Sequence, residues 1–247
     1  STPKPSSAAS DVYKRQVMIC QDGFITSHAV ENIVLNEDED VKNFVGEYEP
    51  ENSLLNPECP MAVGPYSVTN YYFEAKRAQA EALKNAKQVT LDVAKEYAKI
   101  SGREYGLFEE YKMEDAEYAV VIIGSAAGTA KDAVDELRDK GVKAGLIKIR
   151  LFRPFPAEEI ADALKGVKAV ALMDRTESYN DNCGPIGSEV TTALYRAKSD
   201  TLTVNYVYGL GGRDVKVSDM IHIYNELEKI AQDGKVENPY RYMGVRE

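Results

Sequence analysis

The stretch VVIIGSAAGTAKDAVDEL at residues 120–137 decides how this 247-residue chain is predicted to fold. Its first four residues are apolar and β-branched, as in a strand that is buried on both faces. A turn with two glycines follows, and alanine, valine and leucine then recur at the spacing of an amphipathic helix. Many nucleotide-binding units begin with a strand, a glycine turn and a helix in this order. The turn at 124–129 is therefore the first candidate site.

The turn matches neither of the two common phosphate-binding patterns. It reads GSAAGT, whereas a dinucleotide fingerprint needs G-x-G-x-x-G and a P-loop needs G-x-x-x-x-G-K followed by Ser or Thr. Asp174, the acid that a ribose hydroxyl would need, follows the third strand of the pattern instead of the second. A helix N-terminus can bind an anion through its backbone N–H groups alone. A structural turn is the favoured interpretation, and phosphate binding stays open.

Four strand–helix units follow one another in this part of the chain. After the strand YAVVIIG come KAGLIKIRLF, KAVALMDR and TLTVNYVYGL, with helices predicted at about 129–140, 157–166, 186–198 and 218–234. Short strands that alternate with helices predict a mostly parallel sheet covered by helices on both faces. We therefore expect an α/β domain at 115–233 and a tail at 234–247.

The beginning of the chain does not share this pattern. Residues 1–16, STPKPSSAASDVYKRQ, have no hydrophobic period, and the change to the apolar VMIC at Val17 is abrupt. We interpret 1–16 as a non-native leader joined on by cloning or contig assembly, with a disordered tail as the alternative. A joined leader would mean that the native N-terminal portion is missing.

Two segments connect the leader to the α/β domain. Residues 17–70 hold the strand VMICQDGF and a long irregular stretch with several prolines. Within it, EDED at 37–40 is interpreted as a solvated helix N-terminus rather than a metal carboxylate cluster. Residues 71–114 hold a connector and a helix predicted from about Asn70 to Ser101. Its apolar stripe needs a partner surface, so we expect a domain-bridging or interface helix.

Composition excludes several classes of function. The net charge is −10 and the sequence pI about 4.9, so nucleic acid is not an expected partner. No apolar run reaches the roughly 20 residues that span a bilayer, and no signal peptide is present. The three cysteines form no C-x-x-C pair, which argues against a disulfide framework, a metal site and an iron–sulfur cluster within this chain. We expect an acidic cytoplasmic protein.

Two groups of residues are candidates for chemistry or for binding. His28, which follows the turn at Asp22, is the better histidine for a general acid or base. A single histidine is more often a structural hydrogen-bonding residue, and that alternative is favoured. Arg150 and Arg153 end the second strand and could clamp a carboxylate or phosphate. Phe152 and two prolines beside them favour a subunit interface instead.

A second glycine cluster, GLGGRD at 209–214, follows the fourth strand. Ligands and partners of open α/β sheets meet the carboxyl ends of the strands. Arg213 and Asp214 form either an ion pair that fixes this loop or a contact with a partner chain or a cofactor phosphate. The sequence alone does not decide between these two interpretations.

Five strings together resemble the α subunits of the pyruvate:ferredoxin oxidoreductase family, from Val17 to about Glu228. Related enzymes that act on branched-chain 2-oxoacids or 2-oxoglutarate share much of the pattern. The strings are VMICQDGFITSHAVE, LLNPECPMAVGPY, the stretch at 105–156 that includes the opening quotation, DRTESY at 174–179 and VYGLGGRDV at 207–215.

The resemblance implies a fold and an activity. It implies the end of a pyrimidine-type thiamine-binding domain, a long bridging helix and a domain like the C-terminal domain of transketolase. The family converts pyruvate, coenzyme A and oxidised ferredoxin to acetyl-CoA, carbon dioxide and reduced ferredoxin, with flavodoxin as the other possible acceptor. Thiamine diphosphate does the carbanion chemistry. In such a domain the turn at 124–129 would be scaffold, with no cofactor phosphate bound there.

The resemblance also implies partners and roles. Thiamine diphosphate and Mg²⁺ would be held by the β subunit and the iron–sulfur clusters by other subunits (β, γ or δ), with none bound by this chain alone. The family's substrate-contacting residues lie upstream of Val17, so we expect the chain to be inactive alone. Asp22 and His28 would lie nearest the active site. The four residues expected at subunit interfaces are Arg150, Arg153, Arg213 and Asp214.

Two other classes of function stay open. The chain could be a non-catalytic assembly module that only binds partner subunits. It could also be a small-ligand-binding α/β protein that uses the turn at 124–129. The residues that choose the 2-oxoacid lie upstream, so the choice of substrate stays open as well.

Overall fold

A computed structural model gives the fold for residues 25–30, 32–47, 55–60, 66, 68–180 and 182–246. The leader at 1–16, the strand at 17–24 and Asp22 lie outside these described residues. The chain has two compact units, whose main boundary falls between Gly106 and Leu107. Among the described residues, no helix is both long enough and apolar enough to cross a membrane.

The first unit contains helices α2 (Asp38–Val45) and α3 (Tyr72–Ser101). The acidic stretch at 37–40 begins α2, with Glu37 as the N-cap residue, so its interpretation as a helix N-terminus is confirmed. Gly102 ends α3 in the left-handed conformation, with φ of +66°. The Tyr97 ring of α3 contacts the rings of Phe44 and Tyr105, with centroids 5.7 and 5.9 Å away. The predicted long helix is therefore present, and α2 packs on it through Tyr97.

The second unit is a six-stranded sheet with helices, preceded in the chain by the short helix α1 (Ile25–His28). The strand order is β1-β3-β2-β4-β5-β6, and only β1 is antiparallel to its neighbour. The predicted α/β class with a mostly parallel sheet is confirmed. The elements of this unit are β1 (Phe108–Tyr111), β2 (Tyr118–Ile122), α4 (Ala126–Asp139), β3 (Ala144–Ile149), α5 (Ala157–Ala163), β4 (Ala169–Asp174), α6 (Pro185–Arg196), β5 (Leu202–Val207), α7 (Val217–Asp233) and β6 (Tyr240–Tyr242).

Helices cover both faces of the sheet, as predicted. Helices α4 and α7 pack in the core on one face, and α5 and α6 pack in the core on the other. The central strand β4 is buried along its whole length, which explains its continuous apolar sequence. The connections through α4, α5 and α6 share one hand. The connection β5–α7–β6 has the opposite hand, because α7 shares its face with α4.

The sheet extends past both ends of the four predicted units. Strand β1 (FEEY) precedes residue 115 and β6 (YRY) follows residue 233, so the sheet is not limited to 115–233. Both are short edge strands of polar and aromatic residues, and neither has the apolar alternation that marks a strand in sequence. Helix α4 begins at Ala126, three residues before the predicted start. The other domain boundaries stay predictions.

Candidate functional site

The loops at the carboxyl ends of the parallel strands form a crevice, and it is the candidate functional site. Strands β3 and β4 lie on opposite sides of β2. The connection that follows β2 leads to β3 on one side of it, and the next connection leads back to β4 on the other side. The loops that follow β2 and β4 therefore diverge, which opens a gap between the ends of these two strands. A cavity of about 340 Å³ lies there. We call it the switch-point crevice; it is lined by residues 123–126, Phe152, 173–176, 185–186 and Tyr208.

The glycine turn of the opening motif forms one wall of the switch-point crevice. Gly124 has φ of +89°, a conformation that a residue with a Cβ atom rarely adopts. The Ala127 N–H donates to the Gly124 carbonyl oxygen (3.3 Å), and the Gly128 N–H donates to that of Ser125 (2.9 Å). These donors close the first turn of α4 itself. The geometry suits the structural interpretation of the turn, which stays a prediction.

Asp174, at the end of β4, lies between two loops of the site. Its side chain is 2% exposed. One carboxylate oxygen accepts the Ile186 N–H (2.8 Å), and the other accepts the Gly187 N–H (3.0 Å) and the Asn205 Nδ2–H (2.9 Å). A carboxylate at a helix N-terminus is favoured by the exposed N–H groups and by the macrodipole. Asp174 therefore caps α6 from another element.

Two glycines in the sequence CGPIG make this cap possible. A methyl group at Gly184 would lie 2.6 Å from the Asp174 Cβ atom, and one at Gly187 would lie 2.8 Å from the Asn205 Cγ atom. Asn205 also accepts the Gly184 N–H (2.6 Å) and donates to the Leu172 carbonyl oxygen (2.6 Å). Sequence analysis missed this network. The sequence did contain a signal for it: an asparagine in the otherwise apolar strand TLTVNYV, and two glycines in CGPIG at the start of a helix.

Arg150 and Arg153 lie beyond the end of β3 and contact different elements. The Arg150 Nη2 atom is 2.7 Å from Glu109 Oε2 on the edge strand β1. Lys131 also binds Glu109, and that hydrogen bond, with help from the charge of Arg150, holds the pKa of Glu109 below its usual value. Arg153 stacks on the Phe152 ring, 4.2 Å from its centroid. The structure therefore does not bring the two guanidinium groups together on one ligand.

Arg153 also forms an ion pair with α6. Its Nη2 atom is 2.7 Å from Glu189 Oε1, and half of the Arg153 side chain is exposed. The Phe152 ring packs edge-on against Phe155, with centroids 5.9 Å apart. The result is a half-exposed Arg153 side chain whose guanidinium lies over the Phe152 ring. The predicted interface role of Arg153 fits this geometry and stays a prediction.

The loop with GLGGRD is fixed by a contact other than the predicted ion pair. Arg213 Nη1 donates to the carbonyl oxygen of Gly244, 2.7 Å away, in the segment after β6. Within residues 182–246, no ion pair joins Arg213 to Asp214, so that alternative is wrong. Asp214 is exposed, and its interface role stays a prediction.

A second cluster, which sequence analysis also missed, holds the edge strand β6. Glu177 accepts hydrogen bonds from the hydroxyl groups of Tyr240 (2.7 Å) and Tyr242 (2.6 Å). These bonds lower the pKa of Glu177 to about 2. Burial and the same carboxylate raise the pKa of Tyr240. On the other side of β6, Arg241 lies 3.0 Å from Glu226 of α7.

His28 is not among the residues that line the switch-point crevice. His28 ends α1, and its Nδ1 atom lies 2.7 Å from the Ser27 hydroxyl oxygen. Asp22 falls outside the described residues, and the placement of Asp22 and His28 nearest the active site stays a prediction. Among the described residues, no group of three or more His, Cys, Asp or Glu side chains could hold a metal ion.

Two family models match most of the chain. The model described as pyruvate:ferredoxin oxidoreductase core domain II matches residues 116–220. The model described as the thiamine diphosphate-binding segment of pyruvate flavodoxin/ferredoxin oxidoreductase matches residues 6–95. The second match begins inside the leader at 1–16, whose foreign origin stays a prediction. The boundary between the two models agrees with the boundary between the two units near Gly106.

Curated relatives carry related names. The chain is 44% identical over 231 residues to "Pyruvate synthase subunit PorA" of Thermotoga maritima, which covers 94% of this chain and 58% of the relative. It is 36% identical over 230 residues to "Ketoisovalerate oxidoreductase subunit VorA" of Pyrococcus abyssi, which covers 93% of this chain and 58% of the relative. The chain therefore spans a little over half the length of these relatives.

A solved structure is also similar. The 2-oxoglutarate:ferredoxin oxidoreductase from Magnetococcus marinus matches with a TM-score of 0.45 and 18% identity, over 66% of this chain and 24% of the other.

Proposed function

Since this chain belongs to the pyruvate:ferredoxin oxidoreductase family, we propose that it is part of the α subunit of a 2-oxoacid:ferredoxin oxidoreductase that acts on pyruvate. The reaction would convert pyruvate, coenzyme A and oxidised ferredoxin, or flavodoxin, to acetyl-CoA, carbon dioxide and the reduced carrier. The observation that carries the proposal is the 44% identity to a pyruvate synthase subunit over 94% of this chain.

The role of this chain within the complex would be assembly. Two carboxylates of its second unit make internal contacts: Asp174 caps α6, and Glu177 fastens β6. Both carboxylates accept hydrogen bonds that position a helix start and an edge strand. This arrangement supports a scaffold that forms one wall of a larger site.

The cofactors would be shared among subunits. Thiamine diphosphate, when bound, supplies the stabilised carbanion that decarboxylation needs. As in the family that the chain resembles, Mg²⁺ would be held by the β subunit and the iron–sulfur clusters by other subunits. The expected compartment is the cytoplasm, where the cysteines of this chain would stay reduced.

We propose that Arg150, Arg153, Arg213 and Asp214 contact other subunits. Arg153 supports this best, because it is exposed and stacked on Phe152, and arginine and aromatic residues are enriched at interfaces. The test is Arg153→Ala in a tagged α subunit that is co-expressed with the β, γ and δ subunits. We expect less β subunit to co-purify than with the control Arg196→Ala, which removes an exposed arginine at the end of α6.

The substrate is tested on the assembled complex. We expect coenzyme A-dependent reduction of ferredoxin to be fastest with pyruvate, slower with 2-oxoisovalerate and slowest with 2-oxoglutarate. The match to a ketoisovalerate oxidoreductase subunit makes a branched-chain 2-oxoacid the second candidate. A higher kcat/KM with 2-oxoisovalerate than with pyruvate would mean that the preferred substrate is the branched-chain 2-oxoacid. If the tagged subunit were co-expressed with the β, γ and δ subunits and purified with none of them, the assembly role would be contradicted.

A further inference from the structure

Strand β1 lies at one edge of the sheet, and its outer side has no partner strand in the described part of the chain. It is first in the strand order and is antiparallel to β3, its neighbour on the inner side. An open edge presents a row of backbone donors and acceptors to which another extended chain can add. The outer side of β1 is therefore examined as an interaction surface, residue by residue.

The register of β1 with β3 shows which backbone groups point outward. Just before β1, the Arg150 N–H donates to the Leu107 carbonyl oxygen (3.0 Å), so these two residues form a hydrogen-bonded pair. Hydrogen-bonded and non-hydrogen-bonded pairs alternate along an antiparallel ladder. Glu109 therefore directs its N–H and C=O groups toward β3, whereas Phe108 and Glu110 direct theirs away from the sheet. The outer side of β1 thus offers two N–H and two C=O groups to an added strand.

The two glutamates of β1 lie on opposite faces of the sheet and in different electrostatic surroundings. Glu109 binds Lys131 and Arg150. Glu110 is exposed and, among the described residues, takes part in no ion pair. It shares its face with Phe108, which packs against the core cluster that α5 and α6 cover. A side chain opposite Glu110 on an added strand would therefore meet a carboxylate whose charge is not already paired.

We propose that the outer side of β1 binds an extended segment of another subunit, with a basic residue opposite Glu110 and an apolar residue two positions away, beside Phe108. Backbone hydrogen bonds supply the affinity of such a strand addition, and alternate side chains supply its specificity. Opposite charges across a strand pair stabilise it. A second copy of this chain fits less well, because two antiparallel β1 strands would bring the glutamates of both copies together. The inference rests on the proposed function, since it names a surface for the assembly.

Hydrogen exchange tests whether this edge is covered in the complex. The α subunit is measured alone and after co-expression with the β, γ and δ subunits, by mass spectrometry that resolves single amides. We expect the Phe108 and Glu110 amides to exchange at least about tenfold more slowly in the complex. The Glu109 amide is the internal control, because it points toward β3 in the separate subunit as well and should change less.

Two substitutions at one position separate the charge from the backbone. Glu110→Lys reverses the charge, and Glu110→Pro removes an N–H that makes no bond to β3, a change that an edge strand tolerates. We expect each to raise the concentration at which the complex dissociates by about tenfold, measured by size-exclusion chromatography of a dilution series. Asp200→Lys, at an exposed site between α6 and β5, is the matched control and should assemble normally. Unchanged thermal unfolding of the separate variants distinguishes lost docking from lost folding.

Several results would overturn the proposal. If the unmodified subunits assembled without slower exchange at Phe108 and Glu110, the charge of Glu110 would serve to keep other strands away from the edge. Equally slow exchange in the separate α subunit, together with its elution as a dimer, would make a second copy the occupant. Normal assembly of both Glu110 variants would place the interface elsewhere. Failure of the unmodified subunits to assemble at all would contradict the proposed function itself, so the two failures are distinguishable.

Discussion

At the scale of the residue, the Asp174 carboxylate is the buried charge on which two loops depend. Asp174→Ala would leave the N–H groups of Ile186 and Gly187 without their acceptor and would remove one of the two acceptors of the Asn205 amide. We expect the free energy of unfolding to fall by about 3 kcal/mol or more, measured by urea denaturation. Asp200→Ala, at an exposed site, should change it by less than about 0.5 kcal/mol. Equal effects would mean that the network does not stabilise the fold.

Two glycines near the switch-point crevice should respond to alanine in opposite directions. A methyl group at Gly184 meets Asp174 (2.6 Å from its Cβ), whereas one at Gly128 in α4 has nothing within 4 Å. We expect Gly184→Ala to destabilise the unit by about 2 kcal/mol through overpacking. Gly128→Ala should stabilise it by about 0.5 to 1 kcal/mol, because alanine loses less entropy in a helix. Thermal unfolding of both variants measures the difference, and a shift of the same sign would contradict the packing.

At the scale of the element, β6 is attached by side chains as much as by its backbone. The Tyr240 and Tyr242 hydroxyl groups lower the pKa of Glu177 from 4.5 to about 2. A lowered pKa means that the stabilisation is fully present above pH 4.5 and is lost as the pH falls toward 2. We expect Glu177→Gln to remove part of the pH dependence of unfolding in that window and to speed hydrogen exchange in β6. Glu104→Gln, at an exposed site, should leave both unchanged.

Strand β6 also shows why parts of the sheet could not be predicted from the sequence. Strands β2 to β5 are buried and apolar, so each could be recognised from its own sequence. Strands β1 and β6 owe their conformation to pairing with β3 and β5 and to contacts such as Arg150 with Glu109. The cap of α6 likewise joins Asp174 to residues 12 and 31 positions away. The hydrophobic periodicity of a single segment does not predict contacts between residues that are this far apart in the sequence.

At the scale of the whole molecule, the second unit buries its own core, but aromatic residues at and before the start of α3 in the first unit are exposed. Val93 is the one buried residue of α3 within the described chain. Near its start, Tyr66 is 92% exposed and Phe73 79% exposed. The apolar stripe of α3 could be predicted from the sequence. The surface that covers the stripe could not be predicted, because an apolar stripe shows that the helix packs against something apolar but does not show which chain provides that surface.

Exposed aromatic residues of this kind mark interaction sites, so we expect another subunit of the complex to cover the start of α3. Phe73→Ser, in an α subunit co-expressed with the β, γ and δ subunits, should lower the fraction that elutes as the full complex in size-exclusion chromatography. Its thermal unfolding as a separate subunit should not change, because Phe73 is already in solvent. Lys95→Ser, at an exposed site in the same helix, controls for helix propensity and should assemble normally. Normal assembly of Phe73→Ser would mean that the start of α3 faces solvent in the complex and that the interface lies elsewhere, with Arg153 and Phe152 as the next candidates.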